Sequence, residues 1–450
     1  MALVAPFRGL IYNPEKISHL TDVITPPYDV ISPKQQEAFY ARSPYNMIQL
    51  DLGKILPGDT PTKNRYTRSA ELLKAWQREK VLIRDPKPTF YLYKINYRLP
   101  GLGRRERIGL LALLGLEPFD QGMVRPHEKT FSGIKVDRLH LLDYCRAHFG
   151  PIFSFYSDPE NEILDLLGSK AQPDPFIDYE DEDRIRHHIR RVTDPAALSK
   201  AQQLFKEKIV YIADGHHRYE TGLNFREAMK QRFPDAPPTA PFNFTLMYLC
   251  RMQDPGLTIL PTHRTLCRFA EEKTLGFEKK ISEDFLVESF PFRPANKKKV
   301  KKEFLARFQE TARQGQVFGV YSAQPPVFYL LTLKKTGLEG KCAEDLPSIL
   351  RELDVMILSR LVFQKVLGIK PEELDRESLI EYRQDPAEAM ELVDSGWCRL
   401  AFLLKPTLIE QVQEVAEAGL TMPRKSTFFY PKIPTGLVIN VMKPNDSIRI

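Results

Sequence analysis

A mixed α/β fold in two domains is what this sequence predicts, on three observations. At 450 residues the chain exceeds what one hydrophobic core ordinarily organises. Short β-branched runs alternate with helically spaced apolar positions in both halves. The sharpest local signal, residues 208–232, reads as strand, tight turn and helix in succession. Hydrophobic residues at 42% and charged residues at 27% exclude a collagen-like, coiled-coil or wholly disordered chain.

Taken in order, residues 7–31 set prolines between short apolar pieces and close on Thr25-Pro26-Pro27-Tyr28-Asp29-Val30-Ile31, which excludes a helix. Tyr66, Ala70, Leu73 and Trp76 recur at helical spacing and predict a helix over 61–80. Residues 90–99 and 105–116 predict strands joined by Pro100-Gly101-Leu102-Gly103, a hairpin. A polar loop carrying His127-Glu128-Lys129-Thr130 follows, then a helix over 136–148, a strand over 151–156, an acidic stretch over 174–183 and a helix over 195–207. The β-branched run 208–213 ends in Asp214-Gly215-His216-His217-Arg218 and enters a helix reaching residue 232. A strand over 244–250 leads to Pro261-Thr262-His263-Arg264, read as a strand end. Past residue 271 come a lysine-rich helix start at 297–302, strands over 317–321 and 327–333, and an apolar helix over 346–367. A strand over 400–404, a helix over 407–418 closed by Gly419, and the loop Lys425-Ser426-Thr427-Phe428-Phe429-Tyr430-Pro431-Lys432 complete the chain. The change of character places the domain boundary near residue 275, giving domains 1–275 and 276–450.

Composition narrows the function. The 36 prolines against 23 glycines imply rigid loops, good places for sites. A net charge of +7, from 65 basic against 58 acidic residues, makes nucleic acid an unlikely partner. Pro6 and Arg8 stand where a signal peptide would need its apolar core, and the apolar run 108–116 falls short of the roughly 18–20 residues of a membrane span. A cytoplasmic protein with no membrane insertion is expected. Cys145, Cys250, Cys267, Cys342 and Cys398 are scattered and form no Cys-x-x-Cys, so reduced thiols are expected and a thiolate zinc site is not. No Walker sequence and no Gly-x-Gly-x-x-Gly is present.

The turn at Asp214 is the leading candidate site. A strand that bends into a helix at a glycine leaves backbone N–H groups facing outward, an arrangement that attracts phosphate. Gly215 admits the ligand, His216, His217 and Arg218 supply donors around it, and Asp214 could orient a substrate or hold Mg²⁺. The plain alternative makes Asp214 an N-cap, which explains one residue of five. His127 and Glu128 suit proton transfer or an anion grip, and equally a solvated loop. His263 and Arg264 divide in the same way, Asp29 is by base rate a turn aspartate, and His187-His188 lies among arginines and is left structural. Lys425, Ser426, Thr427 and Lys432 make a cationic, hydroxyl-rich loop compatible with a second phosphate site. Together Asp29, His127, Glu128, the 214–218 turn, His263 and Arg264 are expected to converge on one cleft, with Lys425 contributed by the other domain. Arg218 sits in a first helical turn, where a cation is disfavoured unless an anion is present. Its replacement by alanine is therefore expected to spare the fold and abolish phosphate binding.

The motifs 26–31, 127–130, 213–221, 260–264 and 422–432 occur in order along the chain and are similar to those of a prokaryotic family, domain of unknown function 1015. The Asp-Gly-His-His-Arg turn more distantly resembles the phosphate-binding turn of the ParB and sulfiredoxin superfamily, which includes nucleotide-binding partition proteins and a nucleotide-dependent kinase of free serine. That resemblance implies a ParB/sulfiredoxin-like N-terminal core in which Gly215, His216, His217 and Arg218 cradle phosphate. It also implies a carboxylate base near the N-terminus, for which Asp29 or Glu15 is the counterpart.

Three functions follow as expectations. The first is phosphotransfer on a small hydroxylated or amino-acid metabolite of the serine or phosphoserine class, as kinase or phosphatase, with a nucleotide and Mg²⁺. The second is a metal-dependent hydrolase with zinc or manganese on His127, Glu128, Asp214, His216 and His263. The third is a non-catalytic nucleotide-binding regulator. The partner expected is a small phosphorylated molecule; the sequence specifies no oligomeric state.

Overall fold

The computed structural model describes residues 1–130, 132–334, 346–374, 379–443 and 446–450. The chain is mixed α/β, as expected, and folds as two compact units. Met1–Pro126, Thr130–Thr258 and Pro431–Ile450 form the first; His127–Lys129 and Ile259–Tyr430 form the second. The break thus falls at 258–259 rather than near 275, because strand His263–Cys267 is paired on both edges within the second unit's sheet. Among the described residues no helix is long and apolar enough to cross a membrane.

The first unit is built on a nine-stranded mixed sheet. Its order is Val124–Arg125, Val210–Asp214, Ile152–Tyr156, Phe244–Arg251, Gly103–Gly115, Phe90–Leu99, Arg186–Val192 and Ile177–Glu180, with Val4–Ala5 added beside Gly103–Gly115. The predicted hairpin is present, closing with Leu99 opposite Gly103. Alternation along the central strand sends Leu110, Ala112 and Leu114 into a core with Phe90, Ile152, Val210, Ile212 and Met247. Helix Pro195–Phe205 covers this core with Leu198, Ala201 and Phe205. It starts where Asp194 accepts from the Ala197 amide at 2.8 Å and Pro195 takes a position that needs no amide donor. Helix Arg65–Arg78 buries Ala70, Leu73 and Trp76, the spacing the sequence displays, and Asn64 caps it.

The second unit holds a six-stranded sheet, ordered Phe285–Pro291, Pro326–Leu333, Val317–Ala323, Cys398–Leu403, His263–Cys267 and Ile380–Arg383, antiparallel throughout. Helices Lys297–Ala312 and Pro386–Asp394 seal one face with Val300, Phe304, Ala389, Met390 and Val393. The apolar stretch expected as one helix is instead Ser348–Arg351, Asp354–Ile357 and a π-helical Leu358–Val366, parted by Leu353 in an extended conformation. The expectation of reduced cysteines fails at one pair: Cys267 and Cys398 face each other on adjacent strands, Cα atoms 3.9 Å apart, and form a disulfide. They are 131 residues apart, so no local spacing announces them. Cys145 and Cys250 are buried free thiols, and Cys342 lies outside the described residues.

Gly256 marks the tightest approach in the first unit. A Cβ there would stand 2.2 Å from the Glu106 carbonyl oxygen and 2.8 Å from the Arg107 amide nitrogen, both backbone atoms of the central strand. Its own carbonyl accepts from the Tyr97 hydroxyl at 2.8 Å. Gly256→Ala is expected to destabilise the protein by ~1–3 kcal/mol, read as a lower urea midpoint; an unchanged midpoint would mean the strand yields freely.

Candidate functional site

Strand Val210–Asp214 is paired on both sides, parallel to Val124–Arg125 and antiparallel to Ile152–Tyr156, and its register shifts between Ile212 and Asp214. The shift frees the strand end to turn. Gly215 then adopts φ +97°, a conformation L side chains rarely take, and begins helix His216–Arg232, with no side chain capping it. A Cβ on Gly215 would stand 2.8 Å from Arg218 Nη2, so the glycine also admits the guanidinium. Asp214 is not the N-cap but the last strand residue.

Asp214 lies between two cations. Its Oδ2 accepts from Arg218 Nη2 at 2.9 Å, and its Oδ1 accepts from Lys432 Nζ. Arg218 Nη1 also donates to the Pro151 carbonyl at 2.6 Å. The cation in the first helical turn therefore has its anion within the protein, which removes the premise that only a ligand could stabilise it.

Around this turn the first unit gathers groups from three other elements. Arg138, on helix Ser132–Cys145, donates to the Asp51 carbonyl at 2.9 Å and to Asp51 Oδ1 at 3.1 Å, and its guanidinium lies 4.1 Å from the centre of the Tyr28 ring. Burial pushes the Asp51 carboxyl up, against the pull of Arg138 and Arg218. Burial also raises Tyr28, and the Asp29 carboxylate adds to it. Tyr28, Asp51, Arg138, His148, Arg218 and Thr221 line a cavity of about 60 Å³. Asp29, on the one-turn helix Tyr28–Val30, is exposed and acts electrostatically on both Tyr28 and Asp51, as Arg218 does. The structure thus brings Asp29 and the 214–218 turn into one electrostatic neighbourhood. Glu15 is exposed and bonded only locally, its amide donating to Asn13 Oδ1 at 3.1 Å.

The other candidates belong to the second unit. His127 is fully buried, with Nε2 3.0 Å from Thr427 Oγ1 and its carbonyl accepting from the Met422 amide at 2.8 Å. Glu128 bridges Met422, and Ser426 Oγ donates to the Pro423 carbonyl at 2.6 Å. His127, Glu128, Lys425, Ser426 and Thr427 are therefore one cluster, tying residues 127–129 to the 422–427 loop. His263 and Arg264 lie inside a strand rather than at its end. His263 Nδ1 accepts from the Leu404 amide at 3.2 Å, and burial lowers its pKa to about 4. For the expected zinc or manganese set of His127, Glu128, Asp214, His216 and His263, no three His, Cys, Asp or Glu side chains among the described residues gather as a metal requires.

Sequence reasoning missed Asp51 and Arg138. Asp51 sits in a four-residue helix and Arg138 inside a longer one, and nothing local distinguishes either from a surface charge. Lys432 reads in sequence as part of the candidate second phosphate loop; its approach to Asp214, 218 residues away, has no sequence signal.

The profile of a family described as "Protein of unknown function (DUF1015)" matches residues 4–356, well over half of the chain. No curated protein matches it. Among solved structures, a free serine kinase in complex with AMP is 13% identical with a TM-score of 0.31, covering 68% of this chain and 83% of its own. A conserved hypothetical protein from Pyrococcus furiosus is 13% identical with a TM-score of 0.33, covering 71% and 92%. SbnI from Staphylococcus aureus, truncated at its C-terminus, is 9% identical with a TM-score of 0.33, covering 75% and 86%.

Two outcomes follow. Arg218→Ala leaves the Pro151 carbonyl without its donor and Asp214 with one cation fewer, so a loss of about 1–3 kcal/mol is expected, measured by urea denaturation. The neutral outcome that the sequence alone suggests would contradict the observed bonding. For His263, the folded pKa lies below the ordinary 6.5, so the unfolded chain binds more protons between pH 6.5 and 4. The contribution is complete above pH 6.5 and is lost as pH falls towards 4, about 3 kcal/mol at most. Stability measured from pH 7 to 4.5 should fall more steeply in the parent than in His263→Gln; parallel slopes would refute this.

Proposed function

The chain belongs to the DUF1015 family, and from that premise we propose that its first unit binds a nucleotide's phosphate at the Asp214 turn and moves phosphate to or from a small hydroxylated or amino-acid metabolite, of the serine or phosphoserine class. The observation that carries this reading is a set of three cations, Arg138, Arg218 and Lys432, gathered where a helix begins at a positive-φ glycine. Helix starts favour anions through their backbone N–H groups and dipole. Gly215 gives the backbone access, and Arg218 offers a planar fork suited to phosphate oxygens. The distant resemblance of this turn to the ParB and sulfiredoxin group supports the same role.

In the transfer step the metabolite's hydroxyl oxygen attacks phosphorus. A new P–O bond forms, the bond to the leaving phosphate oxygen breaks, and the hydroxyl proton passes to a carboxylate. Asp29 suits the role of that base, being exposed, close to the arginines electrostatically, and engaged in none of the ion pairs among the described residues. Arg218 and Lys432 counter the charge on the equatorial and leaving oxygens. Asp51 and Tyr28 hold the Arg138 guanidinium in place from two sides. Asp214 does not fit as a Mg²⁺ ligand, since both its oxygens are occupied by cations. No step is assigned to a metal.

Phosphoserine and nucleotide followed by ³¹P NMR test the proposal directly. Asp29→Asn is expected to lower the rate at least 100-fold, the usual range for a lost general base, with melting unchanged because Asp29 is exposed. A variant as active as the parent removes Asp29 from the step. A parent that neither binds AMP or ADP nor exchanges phosphate between nucleotide and serine refutes the reading as a whole.

A further inference from the structure

Arg264 is buried in the second unit with no counter-ion among the described residues. The residue is 4% exposed, and its Nη1 has no hydrogen-bond partner among the described residues. Burial depresses its basicity, and among the described residues only Tyr382 opposes that. The Tyr382 ring centre is 5.7 Å from the guanidinium carbon. Two other buried arginines do reach carboxylates: Arg138 contacts Asp51 and Asp137, and Arg226 contacts Glu227 as well as the Leu116 carbonyl.

The backbone at Arg264 has little freedom to relieve this. Strand His263–Cys267 is interior to its sheet, with Arg264 opposite Phe402 on one side and Tyr382 on the other. Two residues earlier, immediately before the strand begins, Thr262 is 5% exposed with its hydroxyl oxygen unpartnered among the described residues. Between them His263 spends Nδ1 on the Leu404 amide, so its proton is on Nε2, which is buried without an acceptor. Three consecutive side chains thus present buried donors to which the described protein offers no acceptor. A buried ion without a partner is strongly destabilising, and an apolar side chain of similar size would avoid the cost.

We propose that Thr262 and Arg264 form an oxyanion receptor in the second unit, taking the carboxylate or phosphate group of a small metabolite. The guanidinium fork matches two oxygens of either group in one plane, and the Thr262 hydroxyl adds a further donor. This site stands independently of the Asp214 turn, which belongs to the first unit.

Isothermal titration of the full chain with L-serine, which has a carboxylate and no phosphate, and with inorganic phosphate, which has the reverse, distinguishes the two sources. Arg218→Ala serves as the background, so that binding at the turn does not mask the result. At least one probe should bind, and Arg264→Met should weaken it at least tenfold, while Arg264→Lys retains part of the affinity. The probe that is lost names the group recognised. In buffer free of both probes, Arg264→Met should melt at or above the temperature of its background. A clearly lower melting temperature would make Arg264 a structural residue and overturn the proposal. So would the failure of both probes to bind, or equal binding with and without Arg264.

Discussion

The bracketing of Asp214 by Arg218 and Lys432 is the interaction on which the first unit's site depends. One carboxylate fixes the end of a strand, the first turn of a helix and a segment 218 residues further on. Arg218 extends the tie to Pro151, at the head of the neighbouring strand. The C-terminal segment is then stitched into the unit: Leu10 and Ile439 exchange backbone hydrogen bonds at 2.8 and 2.9 Å, Thr25 and Thr435 exchange another pair, and Asn440 meets His148 at 3.0 Å. Losing the lysine contact would weaken more than one local bond, because that segment is continuous with Lys432 and returns only after the chain has completed its second unit.

Burial and charge compete openly next to this tie. Asp51 and Asp137 both contact Arg138, yet they shift in opposite directions. At Asp51 desolvation outweighs the arginines and raises the carboxyl. At Asp137 desolvation acts in the same sense, but Arg138, the Tyr66 hydroxyl and Arg65 together hold the carboxyl below its ordinary range.

Legibility in the sequence followed the range of the interactions. The 90–115 hairpin, the caps at Asn64 and Asp194, and the passage from strand 210–214 through Gly215 into a helix are local, so spacing and turn chemistry reveal them. What escaped was fixed by distant partners. Residues 127–129 join the second unit by pairing with 422–427, a contact between segments almost 300 residues apart that no local pattern encodes. The Cys267–Cys398 pair and the placement of strand His263–Cys267 likewise depend on which strands become neighbours. Arg218 shows the subtler failure. The helix-end argument correctly required an anion, but the sequence could not say that Asp214, four residues back, already supplies one.

That correction sharpens the meaning of Arg264. A cation at a candidate site is uninformative when the fold provides its counter-ion, and at Arg138 and Arg218 it does. The same reasoning gives the opposite answer in the second unit's sheet, where Arg264 is buried and no carboxylate among the described residues pairs with it. Packing cannot explain the difference, since a methionine would fill similar space without losing hydration. The charge itself is the property that an apolar substitute lacks, which is why an anion is assigned to it.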